Sequence, residues 1–280
     1  MLERRQIARV VETALDEDAP HGDLTGEVFV SADAVATADL VAREHARLAG
    51  AHVFEVAMTA IDPAVQVTLH AADGDRFEPG TVLATVRGNA RAVLRCERIA
   101  LNLVQRMCGI ATLTATYVEA AGPRIRVTDT RKTTPGLRAL ERHAVRCGGG
   151  HNHRFSLSEA VMAKDNHLAL VDDITAAIRA ARARLPHTTH LEVEVDRLEQ
   201  IEPVLEAGVG TIMLDNFSLD DLRAGVAQVA GRAVVEASGG VSIGTVRAIA
   251  ETGVDVISVG ALTHSARALD LGLDMRIDAP

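Results

Sequence analysis

The sequence LEVEVDRLEQIEPVLEAGVGTIMLDN, residues 191–216, specifies the fold class of this chain more clearly than any other segment. It begins with an apolar run of strand length, continues with helically spaced apolar residues, and ends in a second apolar run. A strand, a helix and a strand in this order predict a parallel βαβ unit, because parallel neighbours need a long crossover connection. The segment therefore indicates an α/β protein.

The same alternation extends in both directions, from residue 125 to the last helix. Strand-like runs, each followed by a helical pattern, are predicted at IRVTD, KDNHLALV, LEVEVD, TIMLDN, AVVEASG and VDVISVG. Polar residues gather where these runs end, and a (β/α) barrel keeps its active site at that end of its strands. We therefore predict a barrel-like region here, with a doubly wound sheet as the alternative.

The part of the chain before Gly122 has a less regular pattern. Apolar spacing predicts helices at residues 2–15, 51–60 and 91–121, with an interruption of the last one at Gly109, and strands at 35–43, 64–70 and 81–87. This mixture differs from the strand–helix repetition that follows.

The composition excludes several classes of protein. The net charge of -9 argues against a broad nucleic-acid surface, and an aromatic content of 2% leaves no base-stacking platform. No apolar run is long enough to span a bilayer, and the charged N-terminus does not resemble a signal peptide. The three cysteines, Cys96, Cys108 and Cys147, form no CxxC pair and fit reduced thiols. We therefore expect a cytoplasmic protein without a membrane or nucleic-acid partner.

The basic residues are distributed unusually. Of 29 basic side chains only Lys132 and Lys164 are lysines, and both lie between residues 128 and 167. Lysine is a compact, mobile point charge, whereas arginine is a planar fork, so the choice of lysine suggests chemistry. Arg131 and Arg154 lie in the same segment. A cationic pocket in an acidic protein indicates a small ligand with several negative charges.

Acidic residues and glycines complete the candidate site. Glu192, Glu194 and Asp196 alternate along one predicted strand, so their side chains share a face; the alternative is an edge strand whose acids face water. Glu194 and Asp215 are suited to holding Mg²⁺ or ribose hydroxyls. Two glycine-containing strand ends, Ser238-Gly239-Gly240 and Gly260-Ala261, predict a phosphate site.

Nine motifs, in order along nearly the whole chain, resemble the quinolinate phosphoribosyltransferase family. They are HGDLT (21–25), ERIALN (97–102), DTRKTTPGLR (129–138), GGGHNHR (148–154), AKDNHL (163–168), EVEVD (192–196), IMLDN (212–216), ASGG (237–240) and ISVGALTHS (257–265). The resemblance implies transfer of a phosphoribosyl group from phosphoribosyl pyrophosphate to quinolinate, with loss of CO2, to give nicotinate mononucleotide for NAD biosynthesis.

The resemblance also implies roles for individual residues. Quinolinate would be bound by Arg98, Thr130, Arg131, His153, Arg154 and Lys164. Phosphoribosyl pyrophosphate would be bound by Lys132, Asp165, His167, Glu194, Asp215, Ser238, Gly239, Gly240, Val259, Gly260 and Ala261. Lys132, Glu194 and Asp215 would be catalytic, and Glu194 and Asp215 would hold Mg²⁺ directly or through water.

The family architecture implies an N-terminal α/β sandwich domain at residues 1–110 and an incomplete α/β barrel at 111–265. Residues 266–280 would pack back on the first domain. Arg98 would reach the site of a neighbouring subunit, so a homodimer would be the minimal unit, with a hexamer as an alternative assembly.

Other functions are compatible with part of these sequence features. A Schiff-base aldolase or decarboxylase could use Lys164 or Lys132, and a related phosphoribosyltransferase could act on another heterocycle. A non-enzymatic sensor could have kept the pocket. His143, Cys147, His151 and His153 could bind zinc, although they lack a CxxC or HxxxH frame. Arg131, Arg154 and Lys164 together would bind two carboxylates, and this favours quinolinate as the substrate.

Overall fold

The computed structural model describes residues 2–277. Within that range the chain divides into two compact units, one of residues 2–114, 133–149 and 263–277 and one of residues 115–132 and 150–262. No helix among these residues is both long and apolar enough to cross a membrane. The predicted domain boundaries at residues 110 and 265 stay a prediction.

The helices and strands follow one another closely along the chain. The helices are α1 (Arg4–Asp18), α2 (Leu24–Phe29), α3 (Ala51–Met58), α4 (Ala90–Ala121), α5 (Arg138–Cys147), α6 (Asp165–Leu168), α7 (Ile174–Arg184), α8 (Ile201–Glu206), α9 (Leu219–Val229), α10 (Val246–Ala250) and α11 (Ala261–His264). The strands are β1 (Val35–Ala42), β2 (Ala46–Arg47), β3 (Gln66–Leu69), β4 (Arg76–Phe77), β5 (Val82–Asn89), β6 (Arg126–Thr128), β7 (Val161–Ala163), β8 (Leu191–Val195), β9 (Thr211–Asp215), β10 (Val234–Ser238), β11 (Val256–Ser258) and β12 (Leu271–Ile277).

An antiparallel sheet with the strand order β12-β1-β5-β3 is the centre of the first unit. Helix α1 packs against α3, and its buried residues Ile7, Val11 and Leu15 recur every four residues. The last strand of the chain, β12, pairs with β1 over the register Ala36↔Ile277 to Ala42↔Leu271. The last described strand of the chain therefore pairs with the first one.

Helix α4 continues through Gly109, so the predicted interruption there is wrong. A Cβ at this position would lie 1.9 Å from the carbonyl oxygen of Arg267. The glycine therefore permits close approach of another backbone segment and does not break the helix. Cys96 and Cys108, on the same helix, are buried.

The second unit is built on a parallel sheet with the order β6-β11-β10-β9-β8-β7. Strands β7 to β11 follow their sequence order without reversal, and β11 then pairs with β6, the earliest strand. A doubly wound sheet would reverse direction at a switch point, whereas cyclic order belongs to a barrel. The described strands leave the ring open between β6 and β7. The predicted class, an N-terminal sheet domain followed by a parallel-sheet α/β domain, is confirmed.

Three further local predictions need correction. KDNHLALV does not form a strand: β7 precedes it, and Lys164 is the N-cap of the single turn α6, where the Lys164 amide donates to His167 Nδ1 at 3.0 Å. Asp196 lies beyond the end of β8 and is exposed. The edge-strand alternative is also wrong, because β8 lies between β7 and β9 and all five of its residues are buried.

Candidate active site

A cavity of about 390 Å³ opens at the carboxyl ends of the parallel strands of the second unit. The first residues after β6, the ends of β8 and β9, and the serines that end β10 and β11 all contribute to its wall. Its lining residues are Thr130, Arg131, Lys132, His153, Arg154, Met162, Lys164, Glu194, Met213, Asp215, Ser238 and Ser258.

Cationic side chains dominate one part of this wall. Arg131 and Lys132 follow β6, and Lys164 follows β7. Arg154 is positioned by a hydrogen bond from its Nη1 to the carbonyl oxygen of Ala160 at 2.9 Å. Burial, and then the neighbouring guanidinium of Arg131, lower the pKa of Arg154. Two guanidinium groups held this close repel each other, and an anion bound between them would relieve that repulsion.

Two carboxylates contribute the opposite charge. Glu194 on β8 is buried and forms an ion pair with Lys164 Nζ. Asp215 ends β9, and its Oδ2 accepts a hydrogen bond of 2.7 Å from the side-chain amide of Asn216. Asn216 has a φ of 58°, a left-handed conformation that asparagine tolerates better than most residues. The cavity can therefore hold anionic groups and, at the carboxylates, a cation or hydroxyl groups.

A buried aspartate holds the loop that carries His153 and Arg154. Asp129 Oδ1 accepts the backbone N–H of His153 at 2.8 Å, and Oδ2 accepts the side-chain amide of Asn152 at 2.5 Å. Asp129 is fully buried, so these hydrogen bonds satisfy a carboxylate that would otherwise be costly to bury. In the sequence, Asp129 ends the run IRVTD, and no role was predicted for it.

A second acidic pair lies around the ring of His153. Its Nε2 is 3.1 Å from Glu192 Oε2 and 3.6 Å from Glu236 Oε1, and both glutamates are 4% exposed. Burial first, and then the charge of Glu192, raise the pKa of Glu236 to about 7. No role was predicted for Glu236 from the sequence. The available signal was a glutamate inside the apolar strand AVVEASG.

Most of the predicted site residues are brought together in this cavity. Among the described residues, those that line it are Thr130, Arg131, Lys132, His153, Arg154, Lys164, Glu194, Asp215 and Ser238. The others in the second unit follow β7, β10 or β11 at the same sheet edge without lining the cavity: Asp165, His167, Gly239, Gly240, Val259, Gly260 and Ala261. Arg98 lies on α4 in the first unit and is exposed.

The four residues considered for zinc do not form one group. His143 and Cys147 lie with Asp73 in the first unit, whereas His151 and His153 belong to the second. His143 Nε2 is 2.6 Å from Asp73 Oδ2. Burial, and then the charge of Asp73, raise the pKa of the Cys147 thiol to about 12, so this cysteine is protonated at neutral pH.

A parallel α/β domain with a cationic cavity and two carboxylates at its strand ends defines a class of proteins that bind small, multiply anionic ligands. Family models for quinolinate phosphoribosyl transferase match nearly the whole chain, the N-terminal domain at residues 23–108 and the C-terminal domain at 110–274. The chain belongs to the quinolinate phosphoribosyltransferase family.

Relatives and solved structures agree with this assignment. The chain is 43% identical over 275 residues to the nicotinate-nucleotide pyrophosphorylase (carboxylating) of Mycobacterium leprae, covering 95% of each. It is 40% identical over 273 residues to the probable nicotinate-nucleotide pyrophosphorylase (carboxylating) of Bacillus subtilis, covering 97% of this chain and 94% of the relative. The crystal structure of NadC from Streptococcus pyogenes superposes with a TM-score of 0.96 at 41% identity, covering 100% of this chain and 99% of that one.

Proposed function

We propose that this chain transfers the phosphoribosyl group of phosphoribosyl pyrophosphate to quinolinate and releases pyrophosphate and CO2, forming nicotinate mononucleotide for NAD biosynthesis. The observation that carries the proposal is the cavity of the second unit. Its wall combines Arg131, Arg154 and Lys164, which suit a dicarboxylate, with Glu194 and Asp215, which suit a developing positive charge on ribose.

Quinolinate would bind against the cationic wall. Guanidinium forks grip planar carboxylates through two parallel hydrogen bonds, so Arg131 and Arg154 would orient the two carboxylates of the substrate. Thr130, His153 and Lys164 would complete this wall, and Arg98 would reach it from the partner subunit. This arrangement would present the ring nitrogen to C1 of the ribose, and positioning of this kind accounts for a large share of catalysis.

Phosphoribosyl pyrophosphate would bind along the strand ends. Ser238, Gly239, Gly240, Val259, Gly260 and Ala261 would hold the 5′-phosphate, and Lys132, Asp165 and His167 would bind the pyrophosphate side. Lys132 would stabilise the negative charge that develops on the leaving group. Glu194 and Asp215 would stabilise the positive ribosyl carbon. Loss of CO2 then needs no electron acceptor from the protein, because the positive ring nitrogen stabilises the adjacent carbanion.

We infer that Mg²⁺ would be held by Glu194 and Asp215, directly or through water. Both carboxylates line the same cavity, and magnesium prefers hard oxygen ligands together with substrate phosphates. Bound there, the ion would neutralise charge on the departing pyrophosphate. Glu194 would exchange its ion pair with Lys164 for this role, which would leave the Lys164 ammonium available to a substrate carboxylate.

The homodimer with a shared active site, the hexamer as its larger alternative and the cytoplasmic location are part of this proposal. The exposed position of Arg98 on α4 is compatible with a role in a neighbouring subunit. A Schiff-base reaction at Lys164 has less support, because its ammonium is paired with a carboxylate rather than lying in an apolar pocket. Transfer to another heterocycle is the remaining alternative.

The decisive experiment supplies the protein with quinolinate, phosphoribosyl pyrophosphate and Mg²⁺ and follows CO2 and nucleotide together. We expect one CO2 for each nicotinate mononucleotide formed, and no nucleotide from nicotinate in a parallel reaction. Lys132→Ala is the inactive control. Turnover of nicotinate but not of quinolinate would reject the proposal, and a borohydride-trapped adduct would favour the Schiff-base alternative.

A further inference from the structure

Glu236 lies outside the cavity wall, yet it belongs to a cluster of ionisable groups around a residue of that wall. His153 comes from the loop before β7, Glu192 from β8 and Glu236 from β10. The imidazole Nε2 lies between the two carboxylates, 3.1 Å from Glu192 Oε2 and 3.6 Å from Glu236 Oε1. Three separate elements therefore converge on one N–H group.

The hydrogen bonds of His153 place its proton on Nε2. The backbone N–H of Arg154 donates to Nδ1 at 2.8 Å, so the neutral ring carries its proton on Nε2, facing the two glutamates. Burial opposes a charged ring, but the hydrogen bond to Glu192 and the charges of Glu236 and Glu192 outweigh it and raise the pKa of His153. In either charge state Nε2 is a donor.

The cluster has more hydrogen-bond acceptors than donors. Among the described residues, Glu192 Oε1 and Glu236 Oε1 are buried without a hydrogen-bond partner. Leaving both acids ionised around a single N–H would be costly at this burial. A neutral Glu236 removes one negative charge and adds a donor. The raised pKa of Glu236 agrees with this, and Ser258 and Asp129 are the other polar groups that face the cluster.

The orientation of the ring also affects Arg154. The same imidazole that meets the glutamates through Nε2 accepts the Arg154 amide through Nδ1, and Asp129 holds the His153 amide. Rotation of the ring would therefore break contacts on both of its nitrogens. The backbone from which the Arg154 guanidinium extends would lose one of its hydrogen bonds.

We propose that Glu236 is a positioning residue: its carboxyl group lies beside Nε2 and, with Glu192 as the nearer partner of that nitrogen, fixes the orientation of the His153 ring. Through that ring it keeps Arg154 in place for a substrate carboxylate. The effect on catalysis rests on the proposed function. The contacts themselves do not depend on it.

Two substitutions of similar size separate this role from simple packing. Glu236→Gln keeps a polar oxygen beside Nε2 and a donor for Glu192, so we expect kinetics within about twofold of wild type. Glu236→Leu fills the space without hydrogen bonds. We expect it to raise the quinolinate KM about tenfold, while kcat and the phosphoribosyl pyrophosphate KM change less than about twofold. Equal effects on both KM values, or none, would overturn the proposal.

A double-mutant cycle then tests whether Glu236 acts through His153. In a His153→Ala background, Glu236→Leu should add less than about twofold to the quinolinate KM, because the ring it positions is gone. If Glu236→Leu raised the quinolinate KM by the same factor in the His153→Ala background as in wild type, the two residues would not be coupled. If Glu236→Leu does not fold, Glu236→Met replaces it, since methionine adapts to irregular space.

Histidine NMR provides a readout that does not need turnover. With ¹⁵N-labelled histidine, and His153→Ala to assign the signal, wild type and Glu236→Gln should show a protonated Nε2 with the same shift. Glu236→Leu should move that signal. An unmoved signal would reject the contact itself, whereas a moved signal in a protein inactive towards quinolinate would leave the contact intact and reject only the proposed function.

Discussion

Arg154 shows how much one residue of the cavity depends on its surroundings. Its guanidinium is held at the Ala160 carbonyl, its amide meets the His153 ring, and its pKa is lowered by burial and by Arg131. Because burial and Arg131 disfavour the charged form of Arg154, an anion bound beside it would be stabilising.

Arg154→Ala should raise the quinolinate KM by about 10- to 100-fold, because a charge-assisted hydrogen bond contributes about 1.5–3 kcal/mol. The KM for phosphoribosyl pyrophosphate should change little. Steady-state kinetics with each substrate varied in turn would measure both values. Arg223→Ala, an exposed arginine of α9 paired with Asp220 at 2.8 Å, is the matched control. Unchanged quinolinate kinetics in Arg154→Ala would remove this residue from the pocket.

Glu236 makes stability depend on pH in a defined direction. Its pKa in the folded protein is raised to about 7, above the ordinary value of 4.5. The folded chain therefore keeps a proton that the unfolded chain loses, and the associated stability is present below pH 4.5 and is lost as the pH rises to about 7. Between these values, wild type should lose free energy of unfolding relative to Glu236→Gln. Urea unfolding across this range would show it, and parallel profiles for the two proteins would contradict it.

Helix α4 contains a glycine, Gly109, whose role in the structure differs from the one that the sequence pattern predicts. In the sequence, Gly109 reads as a break in a long helical pattern, since glycine disfavours helices. In the structure the helix is continuous, and the missing side chain makes room for the Arg267 carbonyl. The close approach of two backbone segments is a property of packing, so local propensity could not reveal it.

Gly109→Ala should destabilise the protein by about 1–3 kcal/mol, since the new Cβ needs space that the Arg267 carbonyl occupies. Intrinsic helix propensity alone would predict a gain of up to about 1 kcal/mol. Gly244→Ala, where a Cβ would meet only Ser242 Oγ at 3.8 Å, is the control and should stay within about 0.5 kcal/mol. Urea denaturation of both variants gives the comparison. If Gly109→Ala stabilised the protein instead, the backbone at Arg267 would have to move to make room for the new Cβ, and the prediction would be wrong.

For the whole molecule, the question is whether one chain suffices for activity. Of the predicted quinolinate ligands, Arg98 is the one that belongs to the first unit, whereas the others line the cavity of the second. A site that draws Arg98 from a partner would make activity a property of the assembly.

Mixed subunits test this directly. Arg98→Ala and Lys132→Ala should each be inactive alone, but a mixture should recover about a quarter of wild-type activity. Random exchange makes half of the dimers mixed, and each mixed dimer has one intact site of two. Activity after co-refolding, with exchange verified by mass-tagged chains, is the measurement. Verified exchange without recovery would argue that each subunit supplies its own complete site.

Local patterns were sufficient for much of this protein. Strand–helix repetition predicted the parallel domain, because apolar periodicity directly reflects which face of each element is buried. The two lysines, Glu194 and Asp215 were found from residue type and position at strand ends. KDNHLALV was misassigned because a short apolar run reads equally well as a strand or a helical turn.

The amino-acid sequence by itself determined the α/β class, the cationic segment and most of the residues that line the cavity. Only the tertiary structure decided that Glu192 and Glu236, on strands separated by β9, meet His153 from a distant loop. It also decided that Gly109 meets a backbone segment far along the chain. The physical reason is the same in both cases: periodicity is encoded locally, whereas the burial, pKa and close contacts of a group depend on neighbours that only folding brings together.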